Sequence, residues 1–131
     1  MKFLLDTCVF LWFIQRDSRL PLSLTKLIID PENEIWLSVV SLWECFIKEQ
    51  TGRLTFPPPS STYLPAQRER HQIQSLTLDE ASVAHLPKLP RHHRDPFDRI
   101  LICQAMEHGM TIITPDDLIT RYPGKTIWAP H

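Results

Sequence analysis

Short apolar runs alternate with helix-like segments along this chain, and that alternation constrains its fold more than any other feature. Lys2-Phe3-Leu4-Leu5, Glu34-Ile35-Trp36-Leu37, Ile73-Gln74-Ser75-Leu76, Thr111-Ile112-Ile113-Thr114 and Lys125-Thr126-Ile127-Trp128 each read as a short strand. Between them lie stretches with helix start and stop signals. Strands that are apolar without alternation are buried on both faces, which requires helices above and below the sheet. The expectation is a three-layer α/β/α domain around a mainly parallel sheet. At 131 residues the chain makes one domain, 1–131, that buries about two-thirds of its unfolded surface.

The helix signals are local. Residues 7–14 form a hydrophobic segment, and Pro21 opens a helix over Leu22–Ile29 that Asp30-Pro31 closes. Ser38 or Ser41 can cap a helix running to about Gln50, with Gly52 as its stop. Pro57-Pro58-Pro59 is a stiff extended break, and Ser60 or Ser61 can cap the helix that follows to about His71. Thr77-Leu78-Asp79-Glu80 has the pattern of a capping box for a helix to Leu86. Residues 87–94 read as a loop. The clearest signal comes next: Asp95 as N-cap, Pro96 at the first helical position, Phe97, Ile100, Leu101, Ile102 and Ala105 on the apolar face, and Gly109 as the stop. Asp95 and Asp98, three apart, point the same way from that helix. Pro115-Asp116-Asp117 starts a last helical turn.

Composition excludes several classes of function. Hydrophobic residues are 43% and charged residues 22%, as in a soluble globular protein. A formal net charge of −1 gives no global basic signature, so nucleic-acid contact must rest on a local patch. The candidates are Arg91, His92, His93, Arg94 and Arg99, with Lys48 and Arg53 as additions. The longest apolar runs are too short and interrupted to span a bilayer, and Asp6 breaks the pattern of a signal peptide. Cys8, Cys45 and Cys103 have no paired spacing, which suits free thiols in a reducing cytoplasm and argues against a zinc site.

Parallel sheets place chemistry beyond the carboxyl ends of their strands. Asp6 ends the first strand, and Asp116 follows the fourth by one proline. Asp98 lies in the first turn of the central helix, and Glu44 sits among Val40, Leu42, Trp43 and Ile47. Each acid has an ordinary explanation. Asp6 can cap the next helix, Asp116 can form an Asx turn, and Glu44 with Lys48 makes an i,i+4 pair worth about 0.3–0.5 kcal/mol on a surface. Gathered in one crevice, four carboxylates would take up protons unless a cation neutralised them. An all-oxygen set suits Mg²⁺ or Mn²⁺. Such an ion can activate water and stabilise a phosphoryl group under attack.

These residues carry a resemblance. Phe3-Leu4-Leu5-Asp6-Thr7, then Ser41-Leu42-Trp43-Glu44 with Lys48 and Gly52-Arg53-Leu54, then Asp95-Pro96-Phe97-Asp98-Arg99 and Ile113-Thr114-Pro115-Asp116 resemble the PIN-domain ribonucleases, specifically the VapC-type toxins of type II toxin–antitoxin pairs. The match covers nearly the whole chain in the family's order. It implies a Mg²⁺- or Mn²⁺-dependent endoribonuclease with Asp6, Glu44, Asp98 and Asp116 as the catalytic, metal-binding acids. Asp98 rather than Asp95 matches the family acid, which leaves Asp95 and Asp117 as helpers or caps. Thr7 and Thr114 resemble hydroxyl residues that support the acids, and Arg91, Arg94 and Arg99 stand where phosphate contacts would help. The resemblance further implies a homodimer silenced by a small antitoxin. Trp12, Phe13, Phe10, Trp36 and Trp43 are the large apolar residues available for such interfaces.

Other classes fit less well. A haloacid-dehalogenase-like phosphatase also begins with a strand ending in Asp, but it needs a second Asp where Cys8 stands. A phospho-acceptor receiver domain needs an acidic pair near that strand end, and Asp6 stands alone. A non-catalytic PIN-fold binding module would have no use for all four acids.

Overall fold

The computed structural model of the chain describes residues 1–91, 95–122 and 124–128. The elements run β1 (Lys2–Leu5), α1 (Thr7–Gln15), α2 (Leu22–Ile29), β2 (Glu34–Ser38), α3 (Val39–Gln50), α4 (Ser60–Arg70), β3 (Gln74–Leu76), α5 (Glu80–Val83), a 3₁₀ turn (Leu86–Lys88), α6 (Pro96–His108), β4 (Thr111–Ile113), α7 (Asp117–Thr120) and β5 (Lys125–Ile127). The strands form one sheet in the order β3-β2-β1-β4-β5, with every neighbouring pair parallel. β1 is the centre, and Leu4 pairs with Trp36 on one side and Ile112 on the other.

The period-2 geometry of β1 sorts its side chains into two cores. Phe3 and Leu5 join Val9, Phe10 and Phe13 of α1, Leu24 and Ile28 of α2, Cys45 of α3 and Leu64 of α4 on one face. Leu4 joins Leu101, Ile102, Cys103 and Ala105 of α6 with Ile119 of α7 on the other. The three layers expected from the alternation are therefore present. Gln104, fully buried on α6, ties the layers together. Its Oε1 accepts from Ser38 Oγ at 2.6 Å, and its Nε2 donates to the carbonyl of Thr77 at 3.2 Å.

The start of α6 is as the sequence indicates. Asp95 Oδ1 accepts from the N–H groups of Phe97 (2.9 Å) and Asp98 (3.4 Å), and Gly109 closes the helix in the left-handed region at φ 65°. Replacing the cap, Asp95→Ala, is expected to cost about 0.5–2 kcal/mol, read as a lower urea midpoint at unchanged slope.

Two other caps differ from expectation. Neither Ser60 nor Ser61 caps α4: its N-cap is Pro59, and Ser60, already helical, donates its hydroxyl to Glu49 Oε1 at 2.6 Å. A bond to a carboxylate is stronger than one to a neutral backbone group, so the hydroxyl goes to α3. Asp79, not Thr77, caps α5, accepting from Ser82 N–H at 2.8 Å, and the helix to Leu86 is split into α5 and the 3₁₀ turn. Pro87 accounts for the split, because it has no N–H to continue an α-helix.

The aromatic residues also divide. Phe10 and Phe13 are core. Trp12 is half-buried against Trp128, with Arg19 over its ring, and Trp36 is half-buried. Trp43 is 57% exposed and Leu22 and Ile29 are exposed as well. All three cysteines are free thiols. Among the described residues, no helix is long and apolar enough to cross a membrane.

Candidate active site

The sheet order makes β1 and β4 neighbours although the chain visits β2 and β3 between them. Chain order therefore reverses at β1, and crevices form at such points beyond the carboxyl ends of the strands. Asp6 lies at the end of β1 as the N-cap of α1, its Oδ1 accepting from Thr7 N–H at 2.7 Å. Its Oδ2 accepts from Thr114 Oγ1 at 2.7 Å. The same Thr114 oxygen accepts from Asp116 N–H at 3.0 Å, so one hydroxyl joins the two strand-end acids. Asp116 caps α7 through its Oδ1, which accepts from Leu118 N–H at 2.8 Å. Thr114→Val would remove the hydroxyl bonded to the buried Asp6 carboxylate, an expected loss of about 1–3 kcal/mol in urea unfolding.

Glu44 reaches the cluster from α3, which Ser38 caps. Thr7 donates its hydroxyl to Glu44 Oε1 at 2.8 Å and lies 2.9 Å from Ser41 Oγ. Lys48 Nζ stands 2.7 Å from Glu44 Oε2, one helical turn on. Glu44 is only 6% exposed, so the pair is more than a surface ornament. Thr7 and Thr114 thus hold one acid each. Ser41, an alternative cap of α3 on sequence grounds, lies inside the helix and meets the Thr7 hydroxyl instead. Its signal was its place three residues before Glu44, on the same side of α3.

Asp98 is buried in the first turn of α6 at 8% exposure. Burial, followed by the charges of Asp6, Asp95, Glu44 and Asp116, pushes its carboxyl up to about 8. Burial likewise lifts Asp6 to about 6, against the hydrogen bonds from Thr114 and Thr7 and with added repulsion from Glu44 and Asp116. Cys8 is raised to about 12 by burial and then by Asp6, Asp98 and Glu44, so it stays a thiol. Burial opposes the charge of Lys48, but the Glu44 carboxylate outweighs it and leaves the pKa raised. Asp6 and Asp98 therefore each feel the charges of Glu44 and Asp116, and Asp98 that of Asp6 as well. Asp95 lies at the edge of the crevice as a helix cap, and Asp117 is exposed at the start of α7.

The donor set is all oxygen, and burial together with the neighbouring carboxylates holds two of its members against ionisation, which suits a hard divalent ion. Among the described residues, no group of three or more His, Cys, Asp or Glu side chains is already gathered closely enough to grip a metal. Glu44 is turned onto Lys48 and Thr7, and Asp116 onto its helix.

The basic candidates separate. Arg99 donates from Nη1 to the carbonyl of Pro90 (3.0 Å) and to Tyr122 Oη (3.2 Å), which anchors the loop before α6. Arg91 is exposed, and His92, His93 and Arg94 lie outside the described residues. Lys48 and Arg53 line a cleft of about 380 Å³ beside the acids, with Glu44, Ile47, Asp95, Pro96 and Phe97.

Comparison with known proteins agrees with this architecture. The PIN domain family model matches residues 3–125. Ribonuclease VapC16 of Mycobacterium tuberculosis is 37% identical over 94 residues, covering 72% of this chain and 62% of that protein. Ribonuclease VapC22 of the same organism is 26% identical over 129 residues, 95% of this chain and 97% of its own length. Among solved structures, VapBC2 from Rickettsia felis bound to a promoter DNA fragment superposes with a TM-score of 0.73 at 13% identity, covering 97% of this chain and 98% of that one. VapBC-1 from nontypeable Haemophilus influenzae gives 0.69 at 17%, with 97% of both chains covered. With the family model spanning nearly all of the chain and the parallel sheet shared, the chain belongs to the PIN-domain family.

Proposed function

We propose that the chain is a metal-dependent endoribonuclease that cuts RNA phosphodiester bonds and acts as the toxin of a toxin–antitoxin pair, with 1–131 as one PIN-like domain. The observation that carries this reading is the buried acidic crevice at the ends of β1 and β4, held by Thr7 and Thr114 in a chain of this family. Asp6, Glu44, Asp98 and Asp116 are the residues that would hold Mg²⁺ or Mn²⁺. When bound, the ion supplies an activated water and neutralises charge on the phosphoryl group.

The chain's own part is positioning. Thr114 fixes the Asp6 carboxylate through Oδ2 and leaves Oδ1 on the Thr7 amide, so this acid has one orientation. Thr7 and Lys48 hold Glu44 from opposite oxygens. Lys48 and Arg53 give the cleft its cations, with Arg91 exposed nearby in sequence to α6 and Arg94 as a further phosphate contact. Asp95 and Asp117 serve as helix-start acids, and Arg99 holds the entry loop.

The relatives and neighbours named above are ribonucleases and VapBC assemblies, which supports a small antitoxin as partner; a homodimer is part of the same proposal, carried by the resemblance of the sequence motifs alone. Three free thiols accord with the cytoplasm. A phosphatase reading is disfavoured by Cys8, where an acid would be required, and a purely structural module by the burial of Asp6, Glu44 and Asp98.

The test is cleavage of RNA labelled at both ends by the purified chain, with internal cuts expected. Intact RNA with both Mg²⁺ and Mn²⁺ present would overturn the enzymatic reading. Harmless expression of folded protein, without any neighbouring gene, would count against the toxin role. A monomer at concentrations of about tens of micromolar would remove the dimer.

A further inference from the structure

Trp43 is the one large aromatic that the fold leaves open among the described residues, at 57% exposure on α3, immediately before Glu44. It meets the ring of Phe97 edge-to-face, with centroids 5.0 Å apart and planes at 88°. Phe97 in turn immediately precedes Asp98 on α6. The aromatic pair is thus tied to both helices that bring acids to the crevice. In an edge-to-face pair, only one ring gives up one face to the other. Trp43 keeps more than half of its surface open to solvent.

Phe97 also lines the cleft shared by Lys48 and Arg53. Charge in that cleft is graded. Glu44 is buried and engaged by Thr7 and Lys48, and Asp95 is half-buried with its carboxylate on the first turn of α6. Arg53 is exposed and Lys48 is 38% exposed. The cleft thus combines two cations, Lys48 and Arg53, two acids, Glu44 and Asp95, and the Phe97 ring, with Trp43 packed against that ring. An anionic chain with flat side groups complements that layout. Unstructured RNA is such a chain, because its bases stack on aromatic faces while its phosphates follow the cations.

We infer that Trp43 and Phe97, with Lys48 and Arg53, form a subsite that holds one nucleotide of single-stranded RNA beside the acidic crevice, its base stacked on Trp43. The inference rests on the ribonuclease reading and adds where the substrate lies. Stacking of this kind is tolerant of base identity, so the subsite sets the preference for unpaired over duplex RNA.

The experiment is binding of a short single-stranded oligoribonucleotide to the full chain in chelator, where no cleavage intervenes. Fluorescence anisotropy of the labelled RNA gives affinity, and quenching of tryptophan emission reports stacking. Trp43→Ala is expected to weaken binding about tenfold or more and to remove most of the quenching, Trp43→Phe to recover much of the affinity, and an oligomer with abasic sites to bind the parent and Trp43→Ala equally. Melting curves of each variant confirm the fold, since an exposed side chain is being changed. RNA affinity unchanged by Trp43→Ala overturns the subsite, leaves the nuclease reading standing, and leaves Trp43 to a protein contact. Failure of the parent chain to bind any RNA in chelator overturns the subsite, and the nuclease reading is then decided by the cleavage test with Mg²⁺ and Mn²⁺.

Discussion

Asp98→Asn is expected to remove RNA cleavage by at least about a hundredfold while the protein becomes no less stable, and at pH 7 more so. The two effects have one cause. Asp98 is an acid that the fold buries among Asp6, Asp95, Glu44 and Asp116, and its carboxyl is pushed up to about 8. Folding near neutral pH therefore works against its ionisation, and an amide of the same shape carries no such penalty. A gain of roughly 1 kcal/mol, a few degrees in melting temperature, is the expected scale. The function that needs the charge is lost with it. Asp95→Ala should behave in the opposite sense, losing stability through the cap and keeping most activity. Equal loss of activity from both changes at full stability would show that the division between them is wrong.

Withdrawal of divalent ions is expected to abolish cleavage and to make stability fall as pH rises from about 4 to 8. Asp98 and Asp6 have carboxyls raised to about 8 and about 6 from an unfolded value of 3.8. Over that window the folded chain keeps protons that the unfolded chain has released. Stability must then decrease with pH: two groups contribute up to about 6, one up to about 8, and none beyond. Mg²⁺ or Mn²⁺ competes with those protons, so added ion should raise the melting temperature more at pH 8 than at pH 5. At about a hundred times its dissociation constant the ion contributes about 2.7 kcal/mol. Melting that ignores both pH and metal, together with full cleavage in chelator, would remove the metal from the mechanism.

How much of this was legible in the sequence depended on whether the deciding interaction was local. Asp95, Pro96 and Gly109 fix their helix through bonds within one turn, and the bounds of α2 were readable from Pro21 and Asp30-Pro31 for the same reason. The strand ends showed where acids would gather, because apolar runs stop there. The hydroxyl of Ser60 was not legible, since it chose a carboxylate on another helix over its own backbone. Ser41 was readable only as an alternative cap, because its contact comes from Thr7, far away in the chain. Exposure of the aromatics was the least readable. Phe10 and Trp43 look alike on paper, and only the packing of α1 into the sheet and the outward turn of α3 separates them. The bonds from Arg99 Nη1 to Pro90 and Tyr122 were not legible either, since both partners lie outside its helix.

The reversal of chain order at β1 also sets when the proposed enzyme comes into being. Thr114 reaches Asp6 across 108 positions of sequence, and Asp98 arrives with a helix made after three of the five strands. A nascent chain leaving the ribosome therefore holds Asp6 and Glu44 long before it holds their counterparts. Contacts this distant in sequence are late to form as well as late to be synthesised. A nuclease assembled this way is inert for most of its own translation and becomes dangerous only when β4 inserts beside β1.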